Sequence, residues 1–335
     1  MLGILFGVLA AASFGFNNAS ARRGVLSGGA IQGLIISMPI GVVMFAILAW
    51  VFGQWSVMSR IPPMELFYLA MGGFMHFVWG RYCNIRSLAA VGSNIAGPVQ
   101  QAQLLISLGL AIWLLNESLS AFKVLGIILI VSAPAYILRS RAKAKAKADA
   151  NPAPKAADGA KPGFTPRLAE GYLFALLSAV GFGTSPVLVK AGLATAGSDA
   201  SLVGGFVSCI AATVVTFLLL AIPSQLAEAR RMNRESAKWF TLSGVGVSFS
   251  HLFRYLALGL APVTVVQPLQ SMSLLFRMIF GYFINRDHEA FDRYVITGIF
   301  LSFAGALSLS LSDDSILKLL NLPAWMAEIT AWRWP

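Results

Sequence analysis

The sequence is poor in charge: 12% of its 335 residues are charged, whereas 57% are hydrophobic and the mean hydropathy is +0.73. A soluble globular protein carries about a quarter charged residues. This chain therefore has too little polar surface to coat a soluble globule of its size. That shortage excludes a soluble enzyme, a secreted disulfide scaffold and a disordered regulator, and it leaves a multi-pass membrane protein.

Cysteine, acidic residues and catalytic motifs are also scarce. Cys83 and Cys209 lie in apolar runs without the spacing of metal ligands. All 14 acidic residues fall in loops, tails or at the ends of apolar runs, so no acid is expected at membrane depth. HExxH, GxSxG and phosphate-loop patterns are absent. We predict no enzymatic activity, no metal and no cofactor. The net charge of +11 lies mostly in loops between apolar runs and indicates no nucleic-acid binding.

Long apolar runs are abundant. A membrane-spanning helix needs about 20 mostly apolar residues, and continuous rather than alternating runs exclude a β-barrel. We predict an all-α polytopic protein with ten spans at residues 2–21, 30–52, 64–86, 92–115, 121–139, 168–190, 201–222, 237–259, 264–285 and 293–311.

A change in composition divides the chain into two halves. The stretch from Arg139 to Arg167 is rich in Lys, Ala, Pro and Gly and lacks apolar periodicity, which is typical of a flexible linker. The tail carries Trp325, Ile329 and Trp332 at i, i+4 and i+7, which predicts a helix in the membrane interface, with a frayed tail as the alternative. The predicted organisation is a first five-helix repeat (1–139), a basic linker (140–167), a second repeat (168–311) and an interfacial tail (312–335).

The two halves resemble each other in sequence. Phe14-Gly15 matches Phe182-Gly183, Arg81-Tyr82 matches Arg254-Tyr255, and Pro98-Val-Gln matches Pro268-Leu-Gln, at offsets of 168, 173 and 170. Because five spans is an odd number, the second repeat enters the membrane from the opposite side. Inverted repeats around a central cavity have two nearly equivalent packings, which is the structural basis of alternating access in secondary transporters.

These features resemble the EamA-type branch of the drug/metabolite transporter superfamily. The resemblance rests on the ten spans, on the two Phe-Gly pairs and on Leu114–Ser120, which is similar to the family's Leu-Gly-Glu-x-Leu segment. The corresponding segment of the second half, Phe283–Glu289, departs from that pattern. The resemblance implies secondary transport of metabolites, amino acids or drugs and leaves the substrate open.

Basic side chains within the spans are the first candidates for a binding site. Arg81, Arg254 and Arg277 lie inside predicted spans, as do His76 and His251. A charge near the bilayer centre costs about 2.5–3.5 kcal/mol even on the lenient insertion scale. With no buried carboxylate expected, a negatively charged ligand is the predicted partner. The alternatives are backbone carbonyls, water, helix C-termini or side chains that snorkel to the interface.

Neighbouring polar residues complete the candidate site. His251, Arg254 and Tyr255 are at i, i+3 and i+4 and share one helix face. Tyr82 and Tyr255 offer hydroxyl groups. Gln100 and Gln270 are predicted to line the cavity beside prolines that break helices, with hydrogen bonding between helices as the alternative. Asn17 in span one is a further site candidate, and hydrogen bonding between helices is the favoured alternative for it. The histidines either bind and release protons, which would then be the coupling ion, or stay neutral and only form hydrogen bonds.

Basic residues are distributed unevenly between the loops. Seventeen lie in loops that follow odd-numbered spans, and five lie in the other loops and the tail. The positive-inside rule then places the linker in the cytoplasm, both termini outside and the protein in the cytoplasmic membrane. Some members of the resembling family have both termini inside, so that orientation stays open.

The leading hypothesis is a secondary active transporter of a small anionic or zwitterionic metabolite, in contact with the lipid bilayer and with protons as a candidate coupling ion. Export of cationic or amphipathic drugs is a second hypothesis, weakened by the lack of a carboxylate in the spans. A third hypothesis is a membrane assembly factor or lipid-modifying enzyme, which the repeat and the lack of a catalytic constellation disfavour.

Overall fold

A computed structural model describes residues 2–115, 119–150, 166–260, 266, 269–311 and 333–334, and these residues are almost entirely helical. The first half contains α1 (Leu2–Gly24), α2 (Ala30–Val51), α3 (Trp55–Met58), α4 (Pro63–Gly73), a π-helical segment (Phe74–Gly80), α5 (Arg81–Val91), α6 (Ser93–Gln100), α7 (Ala102–Leu115), β1 (Leu119–Ser120) and α8 (Ala121–Ala150).

The second half contains α9 (Leu168–Gly192), a 3₁₀ turn (Gly197–Ala200), α10 (Ser201–Leu219), α11 (Pro223–Arg230), α12 (Arg234–Leu260), α13 (Ser273–Asn285), a 3₁₀ turn (Arg286–His288), α14 (Arg293–Leu311) and β2 (Arg333–Trp334). Strands β1 and β2 form a two-residue antiparallel pair, with Leu119 opposite Trp334.

The helices have the length and surface of a multi-pass membrane protein. Among the described residues, α2, α9 and α10 are both long and apolar enough to cross a bilayer, and shorter apolar stretches lie at 124–140 and 293–308. Large apolar side chains also point outward: Trp50 is 74% exposed and Phe283 is 79% exposed. Such a surface suits lipid rather than water.

Two of the predicted spans are interrupted near their middle. Gln101 separates α6 from α7, one turn after Pro98, whose nitrogen cannot donate a helical hydrogen bond. In the second half, Ser271 and Met272 form a turn just before α13. Pro268, the counterpart of Pro98, lies outside the described residues. A helix interruption therefore lies next to a glutamine in both halves.

The boundaries of the first half differ from the sequence-based prediction at two places. Predicted span three continues to Val91, and only Gly92, at φ +78°, separates it from α6. The predicted flexible linker is wrong for residues 140–150, because α8 continues to Ala150. Alternating Ala and Lys are strong helix formers, so a basic composition did not end the helix.

The remaining linker residues, 151–165, lie outside the described part of the chain, and so do tail residues 312–332 with Trp325, Ile329 and Trp332. Of the predicted interfacial helix the structure describes only Arg333 and Trp334, and these two are extended in β2.

Helices of the first half pack mainly against helices of the second half. Helix α1 contacts α12 and α13, and α9 makes the corresponding contacts with α4, α5 and α7. Helix α2 packs on α10, and α8 packs on α14. Helices α1 and α9 meet through the rings of Phe14 and Phe182.

Two glycines near the bundle centre allow close approaches of this kind. A Cβ atom at Gly15 would lie 2.5 Å from Cβ of Phe276 and 2.8 Å from the backbone nitrogen of Arg277. A Cβ atom at Gly183 would lie 2.6 Å from the carbonyl oxygen of Gln103. Small residues let helix backbones come this close in membrane proteins. These are the glycines of the two Phe-Gly pairs.

Replacement of Gly15 by Ala is expected to lower the melting temperature of the purified protein in detergent, because the added methyl group must push α1 away from α13. Overpacking of this kind costs about 1–3 kcal/mol. The matched control is Gly109→Ala, since no atom of the described residues lies within 4 Å of a Cβ at that position. Equal melting temperatures for the two variants would contradict the close approach of α1 and α13.

Candidate functional site

A cavity at the bundle centre is lined by residues of both halves. Its empty space, including the part that opens outward, measures about 320 Å³. The lining residues are Phe14, His76, Gln103, Phe182, Ser250, His251, Arg254, Gln270 and Ser273. In this conformation the cavity is narrow, and its enclosed part has room for about one water molecule. A larger guest requires the helices to separate.

Arg254 is the one charged side chain among the described residues that line this cavity. It is 2% exposed. Its Nη1 lies 3.0 Å from Nδ1 of His76, and its Nη2 donates to Oγ of Ser185 at 3.3 Å. Its Nε has no hydrogen-bond partner, and no carboxylate pairs with it among the described residues. A buried cation thus meets the cavity without a counter-ion.

Two histidines, one from each half of the chain, contact each other at the cavity wall. The rings of His76 and His251 are 4.5 Å apart between centroids and nearly perpendicular. Nε2 of His76 and both ring nitrogens of His251 have no partner within the described residues. The two rings therefore offer three unsatisfied polar atoms beside Arg254.

Aromatic rings from equivalent positions of the two halves also line the cavity, next to the histidines. Phe14 and Phe182 are in edge-to-face contact, with centroids 5.7 Å apart, and Phe182 also lies 4.5 Å from the His76 ring. Backbone contacts at the adjacent glycines hold α1 and α9 in this position. The cavity combines an apolar wall with a few convergent polar groups, as ligand sites usually do.

Arg81 does not line the cavity. Its guanidinium donates to Oγ of Ser37 at 3.0 Å, to Oδ1 of Asn17 at 2.9 Å and to Oγ of Ser243 at 2.9 Å. These acceptors belong to α2, α1 and α12. Every nitrogen of Arg81 therefore binds a neutral side-chain oxygen, and the residue joins four helices. Asn17, a predicted site residue, serves here as a partner of Arg81.

Arg277 and Gln100 also lie beside the cavity rather than in its wall. Nη1 of Arg277 donates to Oε1 of Gln100 at 2.9 Å and contacts the carbonyl oxygen of Ser93 at 3.4 Å. Gln100 then donates to Oδ1 of Asn84 at 2.6 Å and to Oγ of Ser178 at 3.1 Å. The structure separates Gln100 from Gln270, its repeat counterpart, which does reach the cavity.

The two tyrosines face away from the cavity. Tyr255 is completely buried and donates to Oγ of Ser208 at 2.6 Å, which fixes α12 to α10. Tyr82 is half-buried, and its hydroxyl accepts a hydrogen bond from Arg86 at 3.4 Å. Of the ten predicted site residues, the structure brings Arg254, His76, His251 and Gln270 together in the cavity wall.

Sequence reasoning missed the burial of two carboxylates, Glu65 near the start of α4 and Glu289. Glu289 follows α13, yet its side chain is fully buried and lies 3.8 Å from Nε of Arg22. Its two oxygens accept hydrogen bonds from the backbone nitrogens of Ser93 and Asn94 at 2.6 and 3.1 Å. The carboxylate therefore occupies the N-terminus of α6, where the helix dipole favours an anion. Its loop position in the sequence gave no signal of this burial.

Arg22 completes this contact. It donates to the carbonyl oxygens of Leu88 and His288 at 2.7 and 2.8 Å. The pKa of His288, in the loop before Glu289, is lowered by partial burial and by the charges of Arg23 and Arg22. Helices α1, α5 and α6 and the loop after α13 meet here, at one end of the bundle. We call the contact of Arg22 with Glu289 the end latch.

The cavity, the networks of Arg81 and Arg277 and the end latch follow one another along the bundle. In α1, Asn17 lies between Phe14 and Arg22, and in α13, Arg277 lies between Ser273 and the loop that carries Glu289. The networks of Arg81 and Arg277 therefore separate the cavity from the end latch. The cavity lies toward the opposite end of the bundle.

No metal site is indicated within the described ranges, because they contain no group of three or more His, Cys, Asp or Glu side chains. The arrangement offers a cation, two imidazoles, hydroxyls and amides, which together can bind a small anion and a proton.

Replacement of Glu289 by Ala is expected to lower the thermal stability of the purified protein, because it removes the acceptor of two backbone N–H groups. Loss of a helix N-cap costs about 0.5–2 kcal/mol. The control is Glu235→Ala, because that carboxylate is exposed and accepts only from Trp239 of its own helix. A melting temperature for Glu289→Ala as high as that of the control would contradict the end latch.

Comparisons with known proteins agree with this architecture. The family model described as the EamA-like transporter family matches residues 1–139 and 169–311. A search of curated proteins found no match. A solved crystal structure aligns over 96% of this chain and 99% of the other at 17% sequence identity, with a TM-score of 0.58, which supports the fold alone. Because the family model covers both halves, the chain belongs to the EamA-like transporter family of multi-pass membrane proteins.

Proposed function

We propose that this protein is a secondary active transporter of a small anionic or zwitterionic metabolite and that Arg254 binds the negative group of the substrate. The observation that carries the proposal is the uncompensated guanidinium of Arg254 at a central cavity. Family membership supports transport of a small molecule, and the chemistry of the cavity supports an anion.

The energetics of Arg254 favour an anionic guest. A buried cation without a counter-ion is costly, and the cost falls when a carboxylate or phosphate pairs with it. Nε of Arg254 has no partner, and its contact with Ser185, at 3.3 Å, is long. A guanidinium presents a planar fork that matches carboxylate and phosphate groups. The lining carries no carboxylate among its described residues, so it would repel a cationic drug.

The remaining lining would orient the guest. Amide and hydroxyl groups in the lining can form hydrogen bonds with donors or acceptors of a metabolite. They belong to Gln103, Gln270, Ser250 and Ser273. Such groups can satisfy the ammonium group of a zwitterion as well as additional oxygens.

The packing of the two halves supports alternating access by inverted repeats. Helix α1 meets α12 and α13 as α9 meets α5 and α7, and the interruptions at Gln101 and Ser271 fall at corresponding positions. An exchange between these two sets of contacts would close the cavity at one end and open it at the other. The end latch and the networks of Arg81 and Arg277 hold one end closed in this conformation.

The distribution of basic loops supports a cytoplasmic location for that closed end. Arg22, Arg86 and the linker all follow odd-numbered predicted spans, on the basic side. We place the protein in the cytoplasmic membrane with this side inward, so the cavity of the present conformation faces the outside.

Replacement of Arg254 by Gln is expected to abolish anion binding. The purified protein in detergent would be screened by thermal shift against amino acids, organic acids, sugar phosphates and nucleotides. A ligand at one hundred times its Kd stabilises the folded state by about 2.7 kcal/mol, and this stabilisation should vanish in Arg254→Gln.

The matched control is Arg234→Gln, an exposed arginine at the start of the same helix, which should keep the full shift. An anion that stabilises Arg254→Gln as strongly as the wild type would refute the anion site, as would stabilisation by organic cations alone.

A fused reporter that is active only in the cytoplasm tests the orientation. Placed after the C-terminus it should be inactive, and inserted into the linker near residue 155 it should be active, because the basic loops stay inside. Activity at the C-terminus together with inactivity in the linker would reverse the proposed orientation.

A further inference from the structure

His76 and Arg254 form a hydrogen bond whose direction is fixed by chemistry. Nη1 of Arg254 lies 3.0 Å from Nδ1 of His76. A guanidinium has donors and no acceptor, so Nδ1 of His76 must be the acceptor and cannot carry a proton. The ring proton therefore resides on Nε2, and the imidazole in this conformation is neutral.

The surroundings of His76 contain cationic and neutral groups. Arg254 and His251 face it from α12, and Arg81 begins α5, which directly follows the π-helical segment of His76. Phe14 of α1 and Phe182 of α9 contact the ring and carry no charge. No carboxylate among the described residues contacts the ring. With the cavity empty of guest, a proton added to Nδ1 would break the bond to Arg254 and place two cations 3.0 Å apart.

An anionic guest makes protonation of Nδ1 of His76 favourable. A carboxylate or phosphate that accepts the donors of Arg254 turns the guanidinium toward the cavity and leaves Nδ1 of His76 without a donor. A proton on Nδ1 then restores a hydrogen bond, because the protonated ring can donate to the same anion. The anion is placed between two cations, so the repulsion between them is offset.

From this geometry we infer that His76 is a proton-binding site coupled to the anion site, and that the protein carries one proton together with each anion. This inference rests on the proposed function. In the empty state Arg254 binds the neutral His76, and in the loaded state both side chains bind the anion. Each partner raises the affinity for the other by the same factor, as linkage requires.

One proton and one anion bind and leave together in each transport cycle. A proton from water on the loading side binds Nδ1 as the anion binds Arg254, and both leave on the other side, where the Arg254–His76 bond forms again. For a monoanion the added charges cancel, so the loaded and empty carriers bear equal charge. A proton gradient can therefore drive accumulation of the anion.

The test compares anion affinity at different pH values in the wild type, His76→Gln and Arg254→Gln. The probes are acetate, lactate, glutamate and inorganic phosphate, and the three carboxylates stay ionised between about pH 5.5 and 8. Phosphate changes its own charge in this range and serves only as a probe of binding. Wild-type affinity for a bound carboxylate should rise as the pH falls, by up to about tenfold per pH unit.

The glutamine variant keeps an oxygen that can accept from Arg254 but cannot bind a proton. Its carboxylate affinity should be independent of pH, whereas Arg254→Gln should bind no probe at any pH. A pH dependence in His76→Gln equal to that of the wild type overturns the coupling and leaves the anion site intact. Binding to Arg254→Gln with wild-type affinity, or no binding of any probe to the wild type, overturns the proposed function itself.

Transport in liposomes separates coupling from a purely structural role of His76. An imposed proton gradient should drive accumulation of the bound carboxylate by the wild type and not by His76→Gln. Exchange of labelled for unlabelled carboxylate by His76→Gln should be weaker than in the wild type and independent of pH, whereas a variant that fails to fold would show no exchange. Gradient-driven accumulation by His76→Gln would overturn the inference.

Discussion

A guanidinium inside a membrane protein must find acceptors for its N–H groups, and the described part of this chain is organised around that requirement. Arg81, Arg254 and Arg277 are each at most 3% exposed, and none of them pairs with a carboxylate among the described residues. Their acceptors are hydroxyls, amides, an imidazole and one backbone carbonyl, contributed by helices of both halves. Charged donors strengthen such hydrogen bonds. The arginines therefore hold the two halves together, Arg254 at the cavity and the other two between the cavity and the end latch.

Much of the fold was predictable from the sequence, because continuous apolar runs and a repeated pattern of Phe-Gly and Pro-x-Gln are strong signals. The end of α8 was not predictable in the same way. Composition identifies residues 140–150 as hydrophilic, but hydrophilic alanine- and lysine-rich sequence can continue a helix into water. The burial of Glu289 was not predicted for a related reason. An acidic residue in a loop is normally solvated, and only the tertiary structure shows that this loop folds back onto the unsatisfied backbone nitrogens that begin α6.

The candidate site was predictable to the level of residue types but not of directions. Successive residues of a helix point about 100° apart, so Arg254 and Tyr255 cannot both face one narrow cavity, and the structure turns Tyr255 toward Ser208. The break at Gln101 has a similar effect on span four. Gln100 precedes the break and binds Arg277, whereas Gln103 follows it and reaches the cavity. A repeat alignment equates Gln100 with Gln270, but it does not show that Gln100 binds Arg277 while Gln270 reaches the cavity.

Arg81 has fixed hydrogen-bond partners, whereas Arg254 has partners that a ligand can displace. All three nitrogens of Arg81 bind oxygens that helices hold in place, and release of any one leaves a buried donor unsatisfied. Arg254 has one nitrogen without a partner, one long contact and one bond to an imidazole that can itself change its protonation. An anion that approaches Arg254 therefore displaces weaker partners than it would at Arg81. Because Arg254 contributes to the cavity wall and Arg81 lies between the cavity and the end latch, a guest can rearrange the first arginine while the second keeps the closed end of the bundle intact.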